Sequence, residues 1–203
     1  RLAPRRLPVA AGRFTRLFFR GVSELDLAAR TERDLAGAAL SLLALGQRRR
    51  SGRPLLRVFN PEPRRDGFGS AHTIIAVITD DMPFLVDSLG IVCAQSGLAV
   101  HLLAHPVFSV TRDGRGRLTG VFLDTTPPAA RTESWQFIEV DRETDAQRLA
   151  ALERRIRATL DDVSRATRDW RRMRDRALAI AGELAAGLPG VPARELRETE
   201  ALL

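Results

Sequence analysis

The sequence predicts an α+β fold, a split βαβ sandwich in which one antiparallel sheet carries helices on one face. The predicted elements follow in the order strand, helix, strand, hairpin strand, further strand and helix. From Asp145 onwards the apolar period changes from two residues, typical of a strand, to about three and a half, typical of a packed helix. We expect three segments: residues 1–53, a basic arm with N-terminal helices; residues 54–165, the α+β domain; and residues 166–203, a helical connector to a following domain.

The N-terminal segment is predicted to form short helices. Ser23 and Thr31 each precede acidic residues, which is the pattern of a hydroxyl N-cap followed by acids in the first turn. Apolar residues between Leu35 and Leu45 recur on one stripe until the arginines and glycine of residues 48–52 end it. The sequence therefore predicts an amphipathic helix with a polar end.

The central strand is predicted at residues 73–79, where β-branched and apolar residues occupy both parities. Such a strand is covered on both faces, so its second face needs a partner domain, a second copy of the chain, or residues 13–50. Pro83 and the acids before it start a helix, which Gly97 ends as the C′ residue.

The other strands are predicted at residues 55–60, 98–111, 118–123 and 135–140. Pro106 interrupts the longest of them, and residues 113–116 form a hairpin turn. A split βαβ sheet has a fourth strand after its second helix, and the sequence shows none there. We therefore expect residues 55–60 to fill that place from the N-terminal side.

The C-terminal apolar residues fall close to an a/d seam over about forty residues. This is long for one helix, and Asp169-Trp170 or Gly182 is expected to divide it. The arginines of residues 165–176 are predicted to form a solvated face or to pair with acidic neighbours. Trp135 is predicted to be a packing anchor.

All 32 basic residues are arginine, and the net charge is +7. Without lysine, P-loop phosphate binding, Schiff-base chemistry and a lysine base are excluded within this chain. Residues 1–20 hold six arginines and no acid, so the remainder is nearly neutral. Because aromatic residues make up only 5%, we expect no nucleic-acid partner.

The single cysteine, Cys93, lies in an apolar run and is predicted to be a core residue. It rules out a disulfide framework and favours a cytoplasmic location. No apolar run reaches the length that spans a bilayer, so we expect no membrane partner. The first residue is Arg1, and a helical pattern continues to Leu203, so we expect a piece of a longer protein.

One run of residues carries a family resemblance: Asp80-Asp81-Met82-Pro83-Phe84-Leu85-Val86-Asp87-Ser88. It is preceded by His72-Thr73-Ile74-Ile75 and followed by Gly97, His101-Leu102 and His105-Pro106-Val107. With these residues, the chain from about residue 14 to 200 resembles the N-terminal region of the large NAD-dependent glutamate dehydrogenases of bacteria.

The resemblance implies that residues 54–165 form an ACT-like (ferredoxin-like) domain that regulates or assembles a larger enzyme. The parent reaction would convert L-glutamate, NAD and water to 2-oxoglutarate, ammonium and NADH. Catalysis there uses lysine and a dinucleotide fold, and this chain has neither lysine nor a Gly-x-Gly-x-x-Gly motif. We therefore expect a non-catalytic segment with no catalytic residue, no cofactor and no metal of its own, and NAD in the parent enzyme. The expected partners are other domains and subunits of that enzyme, a homo-oligomer.

The same resemblance places an effector site or an interface at the start of the helix: Asp80, Asp81, Met82, Pro83, Phe84, Leu85, Asp87 and Ser88. Free N–H groups at a helix start can take a carboxylate, and Asp80 and Asp81 can receive an ammonium group. ACT domains that bind amino acids usually have Pro-Gly here, whereas this chain has Pro83-Phe84. The alternative is that the two aspartates cap the helix and Phe84 packs at an interface.

Other functions stay open at this point. The chain could be a stand-alone amino-acid-sensing ACT protein, a purely structural module, or an adaptor for nucleic acid or an anionic partner through residues 1–20 and 48–65. His101 and His105 lie about 13 Å apart along a strand, so they are not expected to share a metal with His72.

Overall fold

The structure is a computed structural model that describes residues 11–185. It contains one antiparallel sheet of six strands with helices packed on it. The helices are α1 (Ala11–Phe18), α2 (Glu24–Ala28), α3 (Glu32–Leu45), α4 (Pro63–Asp66), α5 (Leu85–Gln95), α6 (Ala146–Arg168) and α7 (Trp170–Ala185). The strands are β1 (Leu55–Phe59), β2 (Thr73–Asp80), β3 (Val100–Ala104), β4 (Val107–Arg112), β5 (Leu118–Phe122) and β6 (Arg131–Val140).

The strand order is β1-β2-β6-β4-β5, and β3 pairs with β6 beside β4. Strands β3 and β4 are the two parts of one predicted strand, separated at Pro106, whose carbonyl accepts a hydrogen bond from the Trp135 N–H at 3.0 Å. Strand β1 pairs antiparallel with β2 at the place of the fourth strand of a split βαβ unit. The predicted α+β fold class is confirmed, and the missing strand does come from the N-terminal side.

The first face of the sheet is covered by the N-terminal helices. Side chains alternate across a strand, and one set of β2 and β6, including Ile74, Ile78 and Trp135, shares a core with α1 and α3. Phe14 and Phe18 of α1 are fully buried in this core. Of the three expected covers for the central strand, residues 13–50 are the one observed.

Helices α5 and α6 cover the opposite face of the sheet. The alternate set of strand residues is also buried, with Ile75 and Val77 on β2 and Ile138 on β6. The buried residues of the two helices include Leu85, Leu89, Val92, Cys93, Leu152, Ile156 and Leu160. Cys93 is thus a core residue, as predicted, and burial raises the pKa of its thiol.

Local signals explain most element ends. The Thr31 hydroxyl accepts a hydrogen bond from the Asp34 N–H at 3.1 Å and caps α3, whereas Ser23 makes no side-chain cap at α2. Strand β6 begins at Arg131, four residues before the predicted Trp135. Its first four residues are all polar, but β4 pairs with each of them and β2 pairs with Glu133 and Ser134.

The chain divides into two compact units between Leu160 and Asp161. In the second unit the helix breaks at Asp169, one of the two predicted positions. Its arginines make local pairs such as Arg165 with Asp162 at 3.4 Å, and Trp170 is 54% exposed. The expected boundaries at residues 53/54 and 165/166 stay a prediction. No helix within residues 11–185 combines the length and apolarity needed to cross a bilayer.

A glycine pair gives a test of the packing between α3 and the sheet. A Cβ on Gly46 would lie 2.9 Å from Ile78 Cδ1 and closer still to Trp135, whereas a Cβ on Gly90 in α5 would meet nothing within 4 Å. Gly46→Ala is therefore expected to lower the free energy of unfolding by about 1–3 kcal/mol through overpacking. Gly90→Ala should raise it by about 0.5–1 kcal/mol, because alanine favours a helix interior. Urea unfolding measures both, and equal stabilities would contradict this packing.

Candidate functional site

The loop from β2 into α5 adopts an unusual backbone at Phe84. This residue is the N-cap of α5 and has φ 67° and ψ 6°, the left-handed region that glycine favours. Its side chain makes no capping hydrogen bond, and the residue is 66% exposed. A bulky apolar residue is thus held in a strained conformation and presented to solvent, a combination that is concentrated at functional sites.

Asp80 faces away from this loop, toward the segment after α3. Its carboxylate accepts hydrogen bonds from the Arg49 guanidinium, the Ser51 hydroxyl and the Gly52 N–H, the last at 2.6 Å. Burial works to raise the pKa of Asp80, but the hydrogen bonds from Arg49 and Gly52 outweigh it and hold that pKa below its usual range. Asp80 is therefore an ionised carboxylate with a structural partner.

The expectation that Asp80 and Asp81 cap the helix is wrong. Asp80 bonds Arg49, and the exposed Asp81 carboxylate makes no hydrogen bond to any residue the structure describes. The Asp81 backbone N–H instead donates to Thr132 O at 3.1 Å. Asp87 is likewise exposed, with no side-chain partner in the described range.

The other predicted site residues support the helix start. Leu85 is buried, and Met82 and Ser88 are half-buried, while Pro83 is exposed. The Ser88 N–H donates to the Phe84 carbonyl at 3.0 Å, closing the first turn of α5. The surface that the loop offers to another molecule therefore consists mainly of Asp81, Pro83, Phe84 and Asp87.

Beside Asp80 lies a buried ion network centred on Glu133. Its carboxylate accepts hydrogen bonds from Arg49 Nε at 3.0 Å, from Arg112 Nε and Nη2 at 2.8 Å, and from Trp135 Nε1 at 3.1 Å. The side chains of Arg49 and Glu133 are each 1% exposed. This network was not predicted from the sequence, because Arg49 lies within a run of three arginines that resembles a solvated helix end.

Two of the three histidines, His72 and His101, lie together at the other end of the sheet. His72 and His101 stack with ring centroids 4.2 Å apart, and His101 Nε2 lies 2.7 Å from Asp141 Oδ1. His72 Nδ1 lies 3.3 Å from Glu139 Oε2, which Arg30 also bonds. In the part of the chain that the structure describes, no group of three or more His, Cys, Asp or Glu could hold a metal ion.

The family follows from a match that covers most of the sheet and its helices. The model of the family described as "Glutamate dehydrogenase, ACT1 domain" matches residues 14–156. This chain belongs to that family. The matched range includes β1, helix α3 and the last five residues of α1, which cover the first face of the sheet.

Three named relatives agree with this assignment. The ACT1 chain is 39% identical over 178 residues to the NAD-specific glutamate dehydrogenase of Halomonas elongata, covering 87% of this chain and 11% of that protein. It is 33% identical over 191 residues to the enzyme of the same name from Pseudomonas aeruginosa, covering 94% of this chain and 12% of that enzyme. The enzyme of that name from Mycobacterium tuberculosis is 28% identical over 151 residues, covering 72% of this chain and 9% of that enzyme. The chain thus spans about a tenth of the length of these relatives.

Phe84 can be compared with the glycine that the family resemblance implies at this position. Amino-acid-binding ACT domains usually carry Pro-Gly at this helix start, and the backbone here keeps the left-handed conformation that a glycine would adopt freely. Phe84 instead adds an exposed aromatic ring beside this backbone.

Proposed function

We propose that this ACT1 domain is a non-catalytic regulatory and assembly module of a longer, cytoplasmic, homo-oligomeric NAD-dependent glutamate dehydrogenase. The parent enzyme would oxidise L-glutamate to 2-oxoglutarate and release ammonium. The names of the relatives and their roughly tenfold greater length support this assignment. The free, buried Cys93 supports a reducing compartment.

The residues present do not suit NAD. The loop between β2 and α5 contains no glycine, and it presents the Asp81 carboxylate and the Phe84 ring where a pyrophosphate would need open backbone N–H groups. The glycines of residues 67–69 lie elsewhere: Gly67 ends α4, and the Gly69 N–H donates to Asp34 Oδ1 at 2.9 Å. We therefore assign NAD to another part of the parent enzyme.

The assembly role is carried by the exposed Phe84. Ile91 lies seven residues later on the same side of α5 and is 56% exposed. Leu103 and Val107, on β3 and β4, are each 36% exposed. Exposed aromatic and aliphatic residues of this kind are typical of a contact with a protein partner, here another domain or subunit of the enzyme.

An amino-acid effector is the second candidate for the same loop. Asp81 has a carboxylate that no described residue engages, so Asp81 rather than Asp80 would receive the ammonium group. Calorimetry with the twenty amino acids tests this candidate, and Asp81→Asn should abolish any heat of binding. Absence of binding to the isolated chain would dismiss the stand-alone sensor.

Phe84→Asp in the longer enzyme is expected to lower the assembled mass measured by light scattering, because it places a charge in the proposed interface. Leu25→Asp is the matched control, since Leu25 is an apolar residue that is 85% exposed on α2. Phe84→Gly separates strain from contact: it should stabilise the isolated chain by about 1 kcal/mol while still weakening assembly. An unchanged mass for both Phe84 variants would refute the interface.

A further inference from the structure

A second concave surface lies beside the Glu133 network, on the side of the β4–β5 hairpin. We call it the arginine cleft, with Arg48, Arg50, Arg112, Arg115, Arg131 and Glu133 among its lining residues. Its volume is about 640 Å³, which falls in the range of small-molecule sites. Neither the family nor the proposed function accounts for it.

The walls of the arginine cleft are fixed to each other. Arg48 forms a β-bridge with Arg117, the Arg49 N–H donates to Gly116 O at 3.0 Å, and the Leu118 N–H donates to Gln47 O at 3.0 Å. Gly116 permits this approach, because a Cβ there would lie 3.1 Å from the Arg49 carbonyl carbon and closer to its oxygen. The segment after α3 is thus joined to the β4–β5 hairpin by an isolated β-bridge and by backbone hydrogen bonds.

The extended backbone of residues 48–50 sets the direction in which the three consecutive arginine side chains point. Side chains alternate along such a segment, so Arg49 turns into the protein while Arg48 and Arg50 both turn out. Arg49 is 2% exposed and, with Arg112, is neutralised by Asp80 and Glu133. The floor of the cleft therefore carries no surplus charge and is held rigidly.

The rim of the arginine cleft carries the surplus positive charge. Arg50, Arg115 and Arg131 are exposed, and their side chains make no hydrogen bond or ion pair with any residue of the described range. Arg48 donates from Nε to Arg115 O at 3.2 Å and has no carboxylate partner there. The nearby Asp113 carboxylate is occupied by the backbone N–H groups of Arg115 and Arg117.

We propose that the arginine cleft binds a compact, multiply charged anion, of the oligophosphate or tricarboxylate class. Guanidinium groups bind both through paired N–H donors, and several of them around one concave space favour a ligand with several charges. No aromatic residue lines the cleft within the described part of the chain, so a nucleobase would find nothing to stack on. Recognition is of the charged group alone.

Calorimetry on the 203-residue chain with tripolyphosphate and with citrate, each at constant ionic strength, separates the two sources of such an anion. Binding of one or both is expected, and it should weaken as salt rises. Adenosine triphosphate should bind no more tightly than tripolyphosphate. Arg50→Glu combined with Arg131→Glu should weaken binding about tenfold or more.

The matched control is Arg64→Glu combined with Arg154→Glu, two exposed arginines outside the cleft whose replacement changes the net charge equally. This control should leave the affinity within about twofold, and circular dichroism should show both double variants folded. Equal weakening by the two double variants, or no binding of either anion, would overturn the proposal. Tighter binding of a single-stranded oligonucleotide than of either small anion would overturn it in favour of a nucleic-acid surface.

Discussion

Glu133→Ala is expected to lower the free energy of unfolding by about 3–5 kcal/mol, more than any surface substitution in this chain. The carboxylate accepts hydrogen bonds from Arg49, Arg112 and Trp135 in a place that is almost closed to water. Without it, Asp80 is the one carboxylate left to the Arg49 guanidinium among the described residues, and the half-buried Arg112 has none there. The cost is mainly that of burying positive charge without compensation.

An exposed ion pair on α6 provides a reference for the size of this effect. Glu153 and Arg157 are 3.1 Å apart on α6, with side chains 38% and 49% exposed, so Glu153→Ala should cost under about 1 kcal/mol. Glu133→Gln should fall between the two alanine variants, because an amide oxygen can still accept one donor but carries no charge. Guanidinium or urea unfolding measures all three. A loss at Glu133 as small as that at Glu153 would mean that the network contributes little to stability.

Much of the fold followed from local patterns in the sequence. The both-parity apolar run at residues 73–79 predicted a central strand, and β2 is buried on both faces. The absence of a strand after the second helix predicted that residues 55–60 would fill its place, and β1 pairs with β2 there. These predictions succeeded because the apolar pattern of a strand shows which of its faces are buried, and because a strand absent from one place in the fold must be supplied from another.

The candidate sites followed less well, because they depend on partners far apart in the chain. Arg49 and Glu133 are 84 residues apart, and nothing local distinguishes Arg49 from Arg48 or Arg50. Alternation places Glu133 on the same face as Trp135, which is the one signal that a buried acid was present. Asp80 was predicted to face a ligand or a helix end because Asp80 and Asp81 both come just before the helix, but the strand parity turns Asp80 toward Arg49.

Phe14→Ala is the second substitution with a large expected effect, about 3–5 kcal/mol of unfolding free energy. Phe14 is fully buried, and its ring centroid lies 5.9 Å from that of Phe18, 5.7 Å from Phe108 and 5.8 Å from Trp135. Phe108 and Trp135 belong to β4 and β6, so truncation opens a cavity between α1 and the centre of the sheet.

The same variant tests whether residues 11–53 fold as part of the α+β domain or as a separate segment before it. A shared core predicts one cooperative transition that moves to lower denaturant at an unchanged slope, seen alike by tryptophan fluorescence and circular dichroism. Leu25→Ala is the control, because Leu25 is 85% exposed on α2 and should change stability by under about 0.5 kcal/mol. Two separated transitions in Phe14→Ala, with the sheet unaffected, would instead place a domain boundary near residue 53. Trp135 reports on this directly, since it contacts Phe14 from one side and donates to Glu133 from the other.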